Sequence, residues 1–310
     1  MSNILLTGAS GFLGGYLKNA LSQSGLLYTL DRQLSDSLYH ITTDLSIQKP
    51  ILPVHFRQVV HVAGKAHSIP YSTAEKLAFF KVNVQGTQHL LDSLQEVGPP
   101  ESFIYISTVA VYGINCGSNI SEDQLLQASD PYGKSKVEAE TLLQNWCLQY
   151  GVRLVILRLP LIAGLQPPGN LGKMIDAIRN NRFWLPGSGQ AQKSMVLAED
   201  VANLLPNLFS KNGIFNLTDG AHPSMRQLAS AIARSTGKSD PKRLPLILLK
   251  MLAWIGDGIQ WILPASRLLL SITTLQKLTN TLTFNDDRAR SELGWVPKEV
   301  IQHPELWIAL

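Results

Sequence analysis

"NILLTGASGFLG", residues 3–14, decides the fold: a short apolar strand runs into a turn with glycine at positions 8, 11 and 14, and a helical pattern follows. Glycines placed this way permit a tight turn, close approach of backbone to a pyrophosphate, and close packing of helix on strand. A helix beginning there presents free N–H groups and positive partial charge to phosphate. Gly8, Gly11, Phe12, Leu13 and Gly14 are therefore candidate dinucleotide contacts, although the spacing departs from the two-residue start of the usual fingerprint. Asp31 ends the next strand, "LLYTLD", twenty residues past Gly11, where a carboxylate can accept from the adenosine ribose hydroxyls. Arg32 beside it could instead meet a 2′-phosphate, so NAD is expected and NADP stays open.

Outward from this turn, apolar strand-like runs alternate with helical patterns. "QVVHVAG", "SFIYISTVAVYG" and "RLVILRLP" read as further strands, separated by a helix over about residues 73–97 and another ending at Gly151. Near-continuous apolar strands alternating with helices indicate a parallel sheet covered on both faces, a doubly wound α/β fold. After residue 163 the texture shifts to loops such as "GLQPPGNLG" and then to mostly helical segments. The expected division is a dinucleotide-binding domain over 1–165 and a smaller substrate lobe over 166–310, with "GIFNLT" a candidate to return to the main sheet.

With 45% hydrophobic and 16% charged residues, the composition suits a compact enzyme rather than a disordered or fibrous chain. Lysine and arginine exceed the acids only 27 to 23, with no dense basic run, which argues against nucleic acid and suits an anionic small molecule. Cys116 and Cys147 have neither metal-site nor redox-motif spacing, so no metal is expected and two thiols in a reducing cytosol fit best. "MSNILLTGAS" lacks a basic leader region, so a cytoplasmic location without a signal peptide is expected. The stretch Leu244–Leu263 is apolar, but Lys250, Asp257 and two glycines interrupt it. It reads as a buried or half-buried helix of the second lobe, not an integral membrane segment.

"DPYGKSKVEAE", residues 130–140, opens a helix with Asp130 as N-cap and Pro131 at the first position. Four residues apart, Tyr132 and Lys136 share one helix face.

The glycine spacing, Asp31, "YISTVAVYG" and "PYGKSK" together resemble the extended short-chain dehydrogenase/reductase family, its nucleotide-sugar epimerase/dehydratase group. "TDL" at 43–45, "HVAG" at 61–64, "NVQGT" at 83–87 and "ARSELGWVP" at 289–297 extend the likeness over nearly the whole chain. The resemblance implies that Asp44 and Leu45 border the adenine, and that Ala63, Gly64 and Asn83 line the cofactor groove. It also implies a catalytic set of Thr108, Tyr132 and Lys136, with Tyr132 and Lys136 contacting the cofactor as well and Thr108 the substrate. A phenol titrates near pH 10, so work as a base near neutrality needs a shift of about three units; a neighbouring ammonium favours phenolate.

Family dehydratases and decarboxylases resemble one another in carrying acidic residues directly after the Ser/Thr; here stand Val109 and Ala110, which move no proton. The resemblance then implies a 4-ketoreductase or 4-epimerase acting on a nucleotide-diphosphate sugar. Asn170, Lys193 and Lys277 are candidate substrate contacts, and a homodimer fits the same family. A hydroxysteroid-dehydrogenase-like enzyme on an apolar alcohol and a non-catalytic NAD-sensing regulator stay open beside it.

Overall fold

The computed structural model describes residues 2–308 apart from 67, 69, 71, 252 and 255–271, and of residues 273 and 274 the backbone only. Strand β1 (Asn3–Thr7) lies at the centre of a parallel sheet, between β2 (Leu26–Asp31) and β4 (Gln58–His61). Beyond β2 comes β3 (His40–Thr42). On the other side follow β5 (Ser102–Thr108), β7 (Arg153–Leu159) and β11 (Gly213–Asn216), giving the order β11-β7-β5-β4-β1-β2-β3. This is the doubly wound order with an added edge strand, and "GIFN" of the late sequence is that edge.

The continuous apolar runs have a simple cause, since alternate residues are buried on opposite faces. Ile4, Leu6, Val60, Ile104 and Leu157 pack with Leu13, Leu17 and Leu21 of helix α1 (Phe12–Leu21). Leu5, Val59, Phe103, Tyr105 and Ile156 pack on the opposite face instead. Covering that face are α3 (Gly86–Val97) and α4 (Pro131–Tyr150), through Leu90, Leu94, Leu143 and Trp146. The helix read over residues 73–97 is α2 (Thr73–Phe80) followed by a π-turn, Lys81–Gln85, and then α3. Ser72 and Glu75 close its start as a capping box.

Outside the main sheet, β6 (Gly117–Ile120) pairs with β13 (Leu282–Phe284), β8 (Leu161–Ala163) with β10 (Met195–Leu197), and β9 (Leu185–Pro186) with β12 (Arg243–Leu244). A separate core gathers Leu171, Ile175 and Ile178 of α5 (Gly169–Arg179), Leu228 and Ile232 of α7 (Met225–Ser235), and Trp307. Helix α6 (Ala198–Leu204) packs against α1 through the sheet-side core. Of the apolar stretch Leu244–Leu263, residues 252 and 255–263 lie outside the described residues. No described helix is long and apolar enough to cross a membrane.

Candidate active site

The strand order reverses between β1 and β4, and their carboxyl ends meet there. Gly8 has φ +75°, and a Cβ on it would lie 2.6 Å from the Ala63 backbone nitrogen. A Cβ on Gly14 would lie 2.0 Å from the Gly8 carbonyl oxygen. Both positions therefore demand glycine. Gly11 is the N-cap of α1 and supplies no side-chain acceptor, so the first-turn N–H groups remain for a ligand. This bare, Cβ-free cradle fits a dinucleotide pyrophosphate.

Asp31 ends β2 beside the turn. Its carboxylate accepts from the Ser10 backbone N–H at 2.8 Å and from the Ser10 hydroxyl at 2.7 Å. Arg32 next to it is exposed. Asp44 accepts from the Ser46 hydroxyl at 2.7 Å and the Ser46 N–H at 2.9 Å, which hold its carboxyl below the usual range; Arg32 and Lys81 add to this. Leu45 is buried, and its carbonyl lies 2.7 Å from His89 Nδ1 of α3.

Asn83 sits in the π-turn, buried, and its amide is fully engaged. Its Oδ1 accepts from the Lys65 N–H at 2.7 Å, and its Nδ2 donates to the Lys65 carbonyl at 3.1 Å and to Ser135 Oγ at 2.9 Å. Asn83 thus ties the loop after Ala63 and Gly64 to helix α4, one residue from Lys136. Beneath it lies His61. Thr87 donates to the Asn83 carbonyl at 2.6 Å, so its oxygen accepts from His61 Nε2 at 3.0 Å. Nδ1 of the same ring then accepts from Thr7 Oγ1 at 2.6 Å. Burial pushes His61 down to about 3, with Lys136 adding, so the ring is neutral.

Helix α4 carries the remaining groups. Asp130 Oδ1 accepts from the N–H groups of Tyr132 and Gly133, both at 3.1 Å, fixing the start of the helix. Tyr132 lies 5.9 Å from the Phe79 ring, centroid to centroid. Burial pushes its phenol up to about 12; a hydrogen bond with the Thr108 side chain works the other way. The structure thus brings Thr108 and Tyr132 together. Lys136 makes its hydrogen bond to the Ile106 carbonyl at 2.7 Å, and its ammonium stands 4.1 Å from the centre of the Tyr105 ring. Burial pushes Lys136 down to about 7, with Glu140 opposing. A phenol lowered by its neighbour is therefore not what the protein alone provides; without a further positive charge Tyr132 stays protonated near neutrality.

One turn beyond Lys136, Glu140 accepts from Ser107 and receives Arg158 Nη2 at 2.7 Å. Arg158 Nη1 donates to Tyr112 Oη at 3.1 Å, and Tyr112 donates to Asn216 Oδ1 at 2.7 Å. Glu122 closes the chain by accepting from the Asn216 N–H at 2.8 Å. Sequence reasoning passed over Ser10, Ser135, Glu140 and Arg158. The signal for Glu140 was present, because Tyr132, Lys136 and Glu140 follow one another at four-residue steps.

The three candidate substrate residues all come from the later part of the chain. Asn170 is exposed in the first turn of α5. Lys277 is exposed on the helix Ile272–Thr279. Lys193 is half-buried and donates to the Asn280 carbonyl at 2.7 Å, just past the end of the helix that bears Lys277.

A parallel doubly wound sheet with a glycine cradle at its switch point and an acidic residue ending β2 defines a dinucleotide-binding α/β enzyme. More narrowly, the chain belongs to the NAD dependent epimerase/dehydratase family, whose pattern matches residues 4–217. It is similar to the N-acetyl-alpha-D-glucosaminyl-diphospho-ditrans,octacis-undecaprenol 4-epimerase of Escherichia coli O157:H7, 28% identical over 93% of this chain and 89% of that protein. The UDP-glucose 4-epimerase of Vibrio cholerae is 25% identical over 97% of this chain and 92% of its own. Among solved structures, the UDP-glucose 4-epimerase of Thermus thermophilus in complex with NAD superposes with a TM-score of 0.67, at 25% identity, over 78% of this chain and 86% of that one.

Proposed function

We propose that this protein catalyses reversible oxidation and reduction at the fourth carbon of a sugar carried on a nucleotide diphosphate, with net reduction of a 4-keto sugar its main direction. One observation carries this choice over dehydration: the acids of α4 and of the network around Arg158 are already engaged. Asp130 caps α4, Glu140 pairs with Arg158, and Glu122 holds the Asn216 N–H. Val109 and Ala110 supply none. Elimination needs a second acid or base, and none stands free among these.

Gly8, Gly11, Phe12, Leu13 and Gly14 would hold the pyrophosphate, Asp31 the adenosine ribose, and Asp44 and Leu45 the adenine edge. Ala63 and Gly64 would floor the groove, and Lys136 would meet the nicotinamide ribose. When bound, the dinucleotide supplies the hydride for a keto carbon or takes it from a carbinol. Tyr132 gives the substrate oxygen its proton, and Thr108 hydrogen-bonds the same oxygen. A phenol held at about 12 is protonated at neutral pH and ready for that donation. Asn83 acts through position, holding the loop and α4 in register. Asn170, Lys193 and Lys277 would face the diphosphate and sugar from the lobe over 166–310. A cytoplasmic enzyme suits such substrates.

A second carrier has a specific observation behind it. The E. coli relative acts on a sugar joined through a diphosphate to undecaprenol, and this chain exposes Ile247, Met251 and Trp254 on its surface. A polyprenyl diphosphate sugar is the second reading. The test is direct: assay purified protein for bound cofactor, then add NADH or NADPH with 4-keto UDP- and dTDP-sugars. Oxidation of the added cofactor supports the reductase. Stoichiometric bound NAD with sugar inversion and no net absorbance change would replace it with an epimerase.

A further inference from the structure

Helical residues 246–251 and 253–254 depart from the usual amphipathic pattern of a surface helix. Their inner side is apolar as expected, since Leu249 and Ala253 are buried against Leu275. The outer side is apolar too. Ile247 is 74% exposed, Met251 58% and Trp254 74%, and these residues, with exposed Lys250, stand three or four apart on one face. Leu248 adds a further exposed side chain beside them. Together these leave on the order of 400 Å² of apolar side chain in water, the size of the largest patch on a typical monomer, which is often functional.

The neighbouring ladder extends the face. Arg243 and Leu244 pair in parallel with Leu185 and Pro186, which brings half-exposed Trp184 to the same rim as Lys242. Lys242, Arg243 and Lys250 are exposed, none is ion-paired with a described residue, and no acid occurs between residues 241 and 254. Apolar side chains, tryptophans at the margins and unpaired cations make up the composition that settles at a bilayer interface, with rings at headgroup depth and lysines reaching to phosphate. A second copy of this chain is a poorer occupant, because a two-fold contact would bring the cations Lys242, Arg243 and Lys250 of one rim against those of the other, with exposed Asp240 the one acid beside them in sequence.

We infer that this face docks the protein on the surface of a bilayer containing anionic lipid. The contact is peripheral, and it does not depend on which sugar the site reduces. Each basic residue near such a surface adds about fivefold to partitioning, while the apolar stripe supplies the insertion.

Sedimentation of the full chain with vesicles of phosphatidylglycerol and phosphatidylcholine in equal parts tests this, beside vesicles of phosphatidylcholine alone. The expected result is co-sedimentation with the mixed vesicles, weaker in high salt and at least about tenfold weaker for the double variant Ile247→Glu/Met251→Glu. Both side chains are exposed, so the variant should keep its circular dichroism spectrum. A second variant, Lys250→Glu, should weaken sedimentation while leaving the apolar stripe intact. Failure of the wild type to sediment overturns the inference, as does equal sedimentation of wild type and double variant. A wild-type dimer in solution that the double variant dissolves, without vesicle binding, would assign the face to a second copy instead.

Discussion

Glu140 and Arg158 form an ion pair of 2.7 Å with both side chains almost wholly buried, one turn past Lys136 on the helix that carries Tyr132. Ser107, the neighbour of Thr108, donates to the same carboxylate, so the pair braces β5, α4 and β7 where the site is built. Glu140→Gln removes the charge and leaves the guanidinium unmatched. Breaking a buried pair by losing one partner typically costs about 3–5 kcal/mol, and urea unfolding should show a loss of that order. The double variant Glu140→Met/Arg158→Met should lose less than the sum of its single variants. Additive losses would mean that the two groups do not act as a pair.

On the proposed mechanism, Tyr132→Phe removes the proton that the substrate oxygen receives, and it keeps the ring against Phe79. Turnover should fall by about 10²–10⁴-fold. Dinucleotide affinity, measured by fluorescence titration, should stay within a small factor, because the glycine turn and Lys136 are untouched. Near-normal turnover would remove Tyr132 from the chemistry.

Much of this was legible in the residues, and the reason is local. "NILLTGASGFLG" states strand, turn and helix through signals a few residues wide, and Gly8 and Gly14 are glycine because the backbone leaves no room for a Cβ. Asp130, Pro131 and Gly151 likewise mark the ends of α4 by their own chemistry. What escaped depends on partners far along the chain. β3 is three residues long and exists because Thr29, Leu30 and Asp31 pair with it. Arg158 looks like an interruption in an apolar strand until Glu140, Tyr112 and Asn216 are folded around it. The π-turn at Lys81–Gln85 lies inside an uninterrupted helical pattern, and only the bonds of Asn83 to Lys65 and Ser135 show what it is for.

On the proposed reading, Asp31 governs the choice of cofactor. Its carboxylate stands on Ser10 at the end of β2, and that negative charge would repel a 2′-phosphate. NAD should therefore bind more tightly than NADP, although Arg32 is adjacent. Asp31→Ala should weaken NAD and narrow or reverse the preference. A titration in which the wild type prefers NADP, and in which Asp31→Ala leaves NAD unchanged, would transfer the role to Arg32.

His61 should make the protein sensitive to acid. Its ring is neutral in the fold because Thr7 donates to Nδ1 while Nε2 donates to Thr87, and burial holds it near 3 against an ordinary value of 6.5. Between those values the unfolded chain binds a proton that the folded chain refuses, so stability rises with pH through this window and falls as acid is added. The slope from one such group approaches about 1.4 kcal/mol per pH unit. Above about pH 7 the ring is neutral in both states and contributes no slope. His61→Gln cannot titrate, although its amide can bridge the same two hydroxyls. The stability difference between wild type and variant, from urea unfolding at each pH, should hold constant above neutrality and shrink steadily below about 6.5. Parallel profiles across the acid range would show that other groups carry the acid response, and that the bonds of His61 to Thr7 and Thr87 do not hold the ring neutral against protonation.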